Sequence, residues 1–312
     1  MGNGTVSAVV TNFNNYSDAK ETIEGLRKQD YDDLKIILAD DCSADGSYEK
    51  LKSEFPSIEA IQNDTNSGSA FSNNRGIELS LKSGSEYIWI LNNDLVFPNE
   101  SVLKNLVELL ETRDNIGVVS PRLMSYPETD EVWFEQGIIN WKVGDAYHRS
   151  YFTPILHGFK NQVSTGTDID GVDVIINEYI PVCCALFKSD VFKETGFLDQ
   201  EYFFYYEDTD YCVGMSNNNY DIITYKGVEV YHKESMSSGS TPYQSYYTQR
   251  NRILFYRNNC ECINTLGFIL TYLLKFILMI LFEATRGNDK NIKYILFGVY
   301  DGIRGKKGKK NF

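Results

Sequence analysis

Five polar stretches stand directly after apolar or aromatic runs. Thr11-Asn12-Phe13-Asn14 follows Val6–Val10, Asp40-Asp41-Cys42-Ser43-Ala44-Asp45 follows Leu34–Ala39, and Asn92-Asn93-Asp94 follows Tyr87–Leu91. Glu207-Asp208-Thr209-Asp210 follows the aromatic run Tyr202–Tyr206, and His232 closes the run Val228–Tyr231. Carboxylates and amides at this density can hold a hard cation, accept hydrogen bonds from a ligand or take a proton. Aromatic rings just ahead of Asp208 exclude water, which raises a carboxyl's pKa and suits it to base chemistry. Each stretch taken alone has a plainer reading. Asp40, Asp41 and Asp45 are common turn acids, and Glu207 and Asp208 complement a helix N-terminus. Arg250 and Arg252 read equally as solvated helix charge, and Arg75 as a cap on its helix. Of the three histidines, His148 and His157 read as ordinary surface or core residues, whereas His232 ends a strand.

The elements that must position these residues alternate. Strands are expected at Val6–Thr11, Leu34–Ala39, Ile58–Gln62 and Tyr87–Leu91, with helices at Ser17–Gln29 (Ser17 as N-cap), Tyr48–Phe55 and Ser69–Ser83 between them. Strand–helix alternation predicts an α/β fold with a doubly wound, mostly parallel sheet, and ligands then bind at the carboxyl ends of the strands. Three of the polar stretches fall on that edge. Met124–Asp173 is irregular and is read as an acceptor-side insertion with short strands. Strand character returns over Val174–Phe187, Ile222–Tyr225 and Val228–Tyr231. Helices are expected at Lys188–Thr195, Glu207–Asn217 and Gln244–Arg257, and a Ser/Gly-rich flexible loop at Ser235–Pro242. The chain divides into 1–243 and a helical segment, 244–312.

The 312 residues carry a net charge of −13, which argues against a nucleic-acid partner. The charge is uneven: residues 284–312 carry +6 and the rest −19. The 22 Tyr and 18 Phe suit a sugar-binding face but equally a packed core. None of the six cysteines forms a C-x-x-C pair, and no Cys/His cluster has zinc spacing. No basic segment leads into a long apolar run near Met1, so no signal peptide and a reducing, cytosolic setting are expected.

In order and spacing, the segments Ala8–Asn14, Leu38–Ser47, Asn66-Ser67-Gly68 with Asn73-Asn74-Arg75-Gly76, Leu91–Asp94, Gly196–Asp199, Phe203–Asp210 and Val230–His232 resemble family 2 glycosyltransferases of the GT-A fold. The resemblance runs from about Thr5 to Arg257, and its nearest subgroup is rhamnosyltransferase-like. It implies an inverting transfer of a sugar, rhamnose or another hexose, from UDP or dTDP to a lipid-linked or cell-surface saccharide. By resemblance, Asp41 accepts the N3–H of the base, with Thr11 and Phe13 lining the pocket and Asn74, Arg75, Asn93 and Arg250 on the donor side. An acidic body needs a cation to receive a diphosphate, and Asp94 and His232 match the family's ligands for Mn²⁺ or Mg²⁺; imidazole favours Mn²⁺ slightly. Asp208 matches the catalytic base, with Glu207 and Asp210 supporting it or orienting the acceptor. Two departures stand out. Asn92 replaces the first Asp of the D-x-D motif, weakening the metal site, and Val213-Gly214 stands where the family often has an Arg. A processive synthase is disfavoured, because Q-x-x-R-W and several spanning helices are missing. A catalytically silent nucleotide-sugar-binding or scaffold protein is the alternative that Asn92 permits.

Leu266–Phe282 is apolar except for Gly267, Thr271 and Lys275, which share one helical stripe. At ~1.5 Å per residue the run reaches ~25 Å, short of a ~30 Å bilayer core. Lys275 opposes spanning by ~2.5–3.5 kcal/mol. An interfacial or re-entrant helix is therefore expected at the cytoplasmic face of the membrane, followed by a second apolar segment, Ile292–Val299, and by a basic tail gaining about 1 kcal/mol per Lys or Arg from anionic lipid. A soluble helix packed on the domain or on a second subunit is the alternative.

Overall fold

The computed structural model describes residues 4–127, 131–148, 166–233 and 241–312. The loop expected over Ser235–Pro242 falls outside them as far as Ser240, as does His157. The first half is a βαβ series: β1 Val6–Asn12, α1 Tyr16–Leu26, β2 Leu34–Asp40, α2 Ser47–Glu54, β3 Glu59–Gln62, α3 Ser69–Lys82 and β4 Tyr87–Asn92. The side chains of β1 and β4 are buried almost throughout, as covering a sheet on both faces requires. Trp89 is fully buried, edge-on to Phe97 at 5.3 Å. The N-cap of α1 is Asn15, two residues before the expected Ser17, and its side chain accepts from the Asp18 amide.

The second half contributes β5 Leu95–Val96, α4 Val102–Glu111, β6 Ile116–Ser125, β7 Val132–Phe134, β8 Gly137–Asn140, β9 Asp145–His148, β10 Thr167–Ile169, β11 Val172–Ile176, β12 Cys184–Lys188, α5 Ser189–Thr195, a 3₁₀ turn at Gln200–Tyr202, α6 Glu207–Asn217 and β13 Asp221–His232. Among the described residues the main sheet runs β10-β11-β13-β6-β12-β4-β1-β2-β3, with β5 on β13 and β7 on β6. Parallel pairing holds within β4-β1-β2-β3 and between β6 and β13. β12 enters antiparallel to both β4 and β6. The sheet is therefore mixed in its second half. The two strands expected at Ile222–Tyr225 and Val228–Tyr231 are one strand, with an irregularity between Tyr225 and Glu229.

Three helices end the chain: α7 Pro242–Asn258, α8 Thr265–Thr285 and α9 Asp289–Ile303. Thr241 opens α7 with a reciprocal cap to Gln244. α8 is longer than its apolar run: its 21 residues reach ~32 Å at 1.5 Å per residue. Its stripe of Gly267, Thr271 and Lys275 turns toward the body. A Cβ on Gly267 would lie 2.2 Å from the Lys142 carbonyl, and Lys275 is ion-paired with Asp145. The opposite side leaves Leu266, Leu270, Leu274, Ile277 and Leu281 exposed.

Candidate active site

Asp94 and His232 are brought together by β5. Leu95, next to Asp94, pairs with His232 on β13, and the Lys233 amide donates to the Asp94 carbonyl at 2.9 Å. Asp94 Oδ1 then lies 3.2 Å from His232 Nε2, both side chains being nearly buried. Neither atom has a hydrogen-bond partner satisfying normal geometry, and His232 Nδ1 has none either. Buried polar atoms are rarely left so. An oxygen and an imidazole nitrogen converging in this way fit a divalent cation whose other ligands come from phosphate and water. Among the described residues there is no cluster of three or more His, Cys, Asp or Glu side chains, so these residues offer such a site two ligands.

Aromatic rings that the sequence did not single out surround His232. Trp133 of β7 stands edge-on to it at 4.5 Å, and His148 stands 5.1 Å from Trp133 and 4.9 Å from Phe134. Burial pushes His148 down to about 4, with neighbouring His232 acting in the same direction. His148 is thus a neutral wall residue of this recess. No spacing signal could have found it, because β7 and β9 are too short to announce themselves.

Asp208 stands in the first turn of α6. Its Oδ1 accepts from the Thr209 amide at 2.6 Å and from the Thr209 hydroxyl at 3.2 Å. The side chain is half-buried, and burial pushes its carboxyl up to about 6. Glu207 is deeper: Oε1 accepts from Ser69 Oγ at 2.6 Å, while buried Oε2 has no partner. Burial and the adjacent Asp208 raise it further. Burial, then Cys184 and the Asp94 and Asp208 carboxylates, push the Cys183 thiol well up.

The backbone ahead of Asp208 is unusual. Phe203, Tyr205 and Tyr206 have φ of 65°, 69° and 75°, a region costing ordinary residues about 1–3 kcal/mol each. Asn251 of α7, fully buried, holds this loop by donating Nδ2 to the carbonyls of Tyr202, Phe204 and Tyr205 at 2.7–2.9 Å. Arg250 adds Nη2 to Tyr202 O at 2.6 Å and Nη1 to Gly308 O, with its guanidinium 4.6 Å from the Tyr247 ring centre. Buried and bonded to carbonyls, Arg250 clamps this loop. Asp210 accepts from Asn259 Nδ2 at 2.8 Å, tying α6 to the end of α7.

At the other end of the site, Asp41 Oδ1 accepts from Asn63 Nδ2 at 2.9 Å and from the Ser67 amide at 2.7 Å, and Oδ2 accepts from the Gly68 amide at 2.9 Å. Oδ2 retains an acceptor position. Phe13 is 48% exposed nearby in sequence to the β1 end, as a stacking face must be, and Thr11 Oγ1 reaches Leu91 O at 3.4 Å. Gly68 and Ser69, consecutive at the start of α3, connect Asp41 to Glu207. Three of the expected donor-side residues are occupied with other work. Asn74 is buried, with both amide atoms bonded to the Leu198 main chain (2.8 and 3.1 Å). Asn93 Nδ2 donates to Asn12 Oδ1 at 2.7 Å. Arg75 Nη1 donates to Gln62 O and Asn63 Oδ1, each at 2.9 Å. Polar type drew attention to them; their geometry makes them braces under the strand ends.

Known proteins share this arrangement of elements. Over 98% of its length the chain superposes on 88% of the mannosyltransferase PcManGT from Pyrobaculum calidifontis, solved with GDP-Man and Mn²⁺, with a TM-score of 0.58 and 12% identity. Over 85% of its length it superposes on 56% of GalNAc-T7, solved with UDP, GalNAc and Mn²⁺, with a TM-score of 0.58 and 13% identity. These likenesses establish the GT-A-type fold. In sequence it is 23% identical over 318 aligned positions, 97% of this chain and 92% of the relative, to the low-salt glycan biosynthesis hexosyltransferase Agl10 of Haloferax volcanii. It is also 28% identical to glycosyltransferase GlyG of Streptococcus pneumoniae over 40% of this chain and 41% of that one. The model of glycosyl transferase family 2 matches residues 7–196, the span from β1 through α5 that carries Asp41 and Asp94. With strands, polar strand ends and family model in agreement over well more than half of its length, the chain belongs to glycosyl transferase family 2.

Proposed function

We propose that this glycosyltransferase moves a hexose, rhamnose among the candidates, with inversion from a UDP- or dTDP-sugar to a hydroxyl of a lipid-linked or cell-surface saccharide. The observation that carries this reading is the unbonded Asp94 Oδ1–His232 Nε2 pair, 3.2 Å apart. Asp94 and His232 would hold Mn²⁺ or Mg²⁺, which when bound neutralises the leaving diphosphate; Mn²⁺ in the solved relatives supports that choice. Asp41 would receive the base N3–H on Oδ2, with Phe13 stacking on the ring. Asp208, with Oδ1 fixed by Thr209, would take the acceptor proton on Oδ2. Glu207 and Asp210 hold α6 against α3 and α7 so that Asp208 keeps its aim. We divide the chain into a nucleotide-sugar unit, 1–243, and a helical segment, 244–312, whose first helix is the seam between them.

Slow hydrolysis of UDP- and dTDP-sugars tests the reading. Nucleotide diphosphate release should need Mn²⁺ or Mg²⁺ and stop with EDTA. His232→Ala should lose about 2 kcal/mol or more of the thermal stabilisation that Mn²⁺ with nucleotide gives the wild type, since saturating ligand at 100 Kd contributes about 2.7 kcal/mol. Release unaffected by EDTA, or an unaltered Mn²⁺ shift in His232→Ala, would remove the metal assignment.

For the membrane, we propose that α8 lies on the cytoplasmic leaflet. Lys275, the charge set against burial in lipid, is paired with Asp145, which also lies 3.5 Å from Arg252. Phe268 and Tyr272 pack inward, and the leucine face is left outward. Arg286, Lys290, Lys293 and Arg304 are exposed along the same segment. The chain should float with vesicles containing phosphatidylglycerol, and Leu274→Glu with Ile277→Glu should cut the bound fraction at least tenfold. Equal flotation of that double variant would overturn this placement.

A further inference from the structure

The basic C-terminus was expected to serve lipid, but its lysines face the protein. Lys306 and Lys310 pair with buried Asp301 at 3.1 and 2.7 Å, and Lys307 pairs with Glu201. The Lys310 amide donates to Tyr247 Oη at 2.8 Å, and the Gly308 amide donates to Glu201 O at 2.6 Å. Phe312 stacks on Tyr294 at 4.3 Å and stands edge-on to Tyr246 at 5.0 Å. Residues 306–312 are thus a strap fastened at several points across α7 and the 3₁₀ turn. Between those fastenings Lys309 is exposed and has no carboxylate partner among the described residues. Its Nζ donates to Asn66 O at 2.9 Å and lies 5.8 Å from the Phe203 ring centre.

That location matters because Asn66 precedes Ser67 and Gly68, whose amides both donate to Asp41. Tyr243, packed against Phe203, Tyr247 and Phe312, lies close enough to Asp41 for its hydroxyl to be raised by that carboxylate, after burial and Tyr247. The strap therefore forms a rim of the pocket assigned to the nucleotide. The diphosphate of a nucleotide sugar carries two negative charges and gains a third as it leaves the sugar, one more than a divalent cation cancels. Arg75 and Arg250 are committed to protein carbonyls and amides. Lys309 is a mobile ammonium on a long stem, bonded only to a carbonyl, and Lys binds phosphate well as a point charge.

We propose that Lys309, delivered by the C-terminal strap, is a donor-binding residue that contacts the diphosphate of the nucleotide sugar. This rests on the reading of Asp41 as the base-binding carboxylate. The test compares binding of UDP with Mn²⁺, and of uridine, to the full chain by calorimetry. Lys309→Ala should weaken UDP about tenfold, the size of one charge-assisted bond, leave uridine within about twofold and leave the melting temperature unchanged. Lys309→Arg should restore most of the UDP affinity, and with a turnover assay Lys309→Ala should raise KM for the donor more than it lowers kcat. UDP binding unaffected by Lys309→Ala, or an equal loss for uridine and UDP, overturns the proposal. If Asp41→Asn weakens uridine while Lys309→Ala weakens nothing, the strap inference alone fails. A wild-type chain that binds neither UDP nor dTDP with Mn²⁺ removes the underlying reading as well.

Discussion

Asp208→Asn is expected to lower kcat by ~10²–10⁴-fold, the ordinary contribution of a general base, while the melting temperature and nucleotide affinity hold near wild type. The amide keeps the Oδ1 acceptor for the Thr209 amide, so the start of α6 survives. What is lost is the capacity of Oδ2 to accept a proton. The same carboxyl sets a pH signature. A base works only when ionised, so the rate must fall as pH falls through its pKa. Burial has moved that value up to about 6, against about 4 for an ordinary aspartate. The acid limb of kcat should therefore lie near neutrality and well above the usual carboxylate range. Because Glu207 is adjacent, buried deeper and raised as well, the limb belongs to the pair rather than to one residue. An Asp208→Asn enzyme retaining a third or more of wild-type kcat would remove the base assignment, and so would a rate that stays flat down to pH 4.5.

The second large effect concerns backbone. Gly68→Ala should cost about 2–4 kcal/mol, lower the melting temperature by roughly 5–10 °C and reduce turnover more than tenfold. Gly68 has φ of 94° at the start of α3, and a Cβ there would lie 2.2 Å from the Phe203 carbonyl. Neither partner can yield cheaply. Phe203 begins the loop of positive φ values that Asn251 pins, and the Gly68 amide holds Asp41 Oδ2. Moving the loop shifts Asp208; moving Gly68 opens the Asp41 site. Gly84→Ala provides the comparison, since φ there is 74° but no atom lies within 4 Å of the new Cβ. That variant should lose only the conformational part, about 1 kcal/mol, and keep its activity. Similar losses in the two variants, measured by denaturant unfolding and by donor turnover, would show that the approach to Phe203 is not what matters.

These effects also show where sequence pattern stops being informative. Apolar runs ending in Asn12, Asp40 and Asn92 announced β1, β2 and β4, because strands buried on both faces must be continuously apolar and their ends are where polar groups can first meet solvent. The Gly267, Thr271 and Lys275 stripe was likewise legible from helical period. The sheet's second half was not. β5 has two residues and β7 three, too short for any period, yet β5 brings Asp94 to His232 and β7 supplies Trp133.

Residue type and order determined the α/β alternation and the polar edge, and the family resemblance pointed to Asp41, Asp94, Asp208 and His232 as the groups proposed here to carry the chemistry. Tertiary structure decided which polar side chains are free to use it. Asn74 and Arg250 carry the same functional groups as real ligands, but hydrogen-bonding capacity is finite, and theirs is taken by the Leu198, Tyr202 and Gly308 main chain. Charge at the C-terminus was visible as charge. Only the fold around Asp301 and Glu201 showed which of these lysines are ion-paired and set Lys309 against the Asn66 carbonyl with no carboxylate partner among the described residues, because an ion pair depends on distance in space and composition contains none.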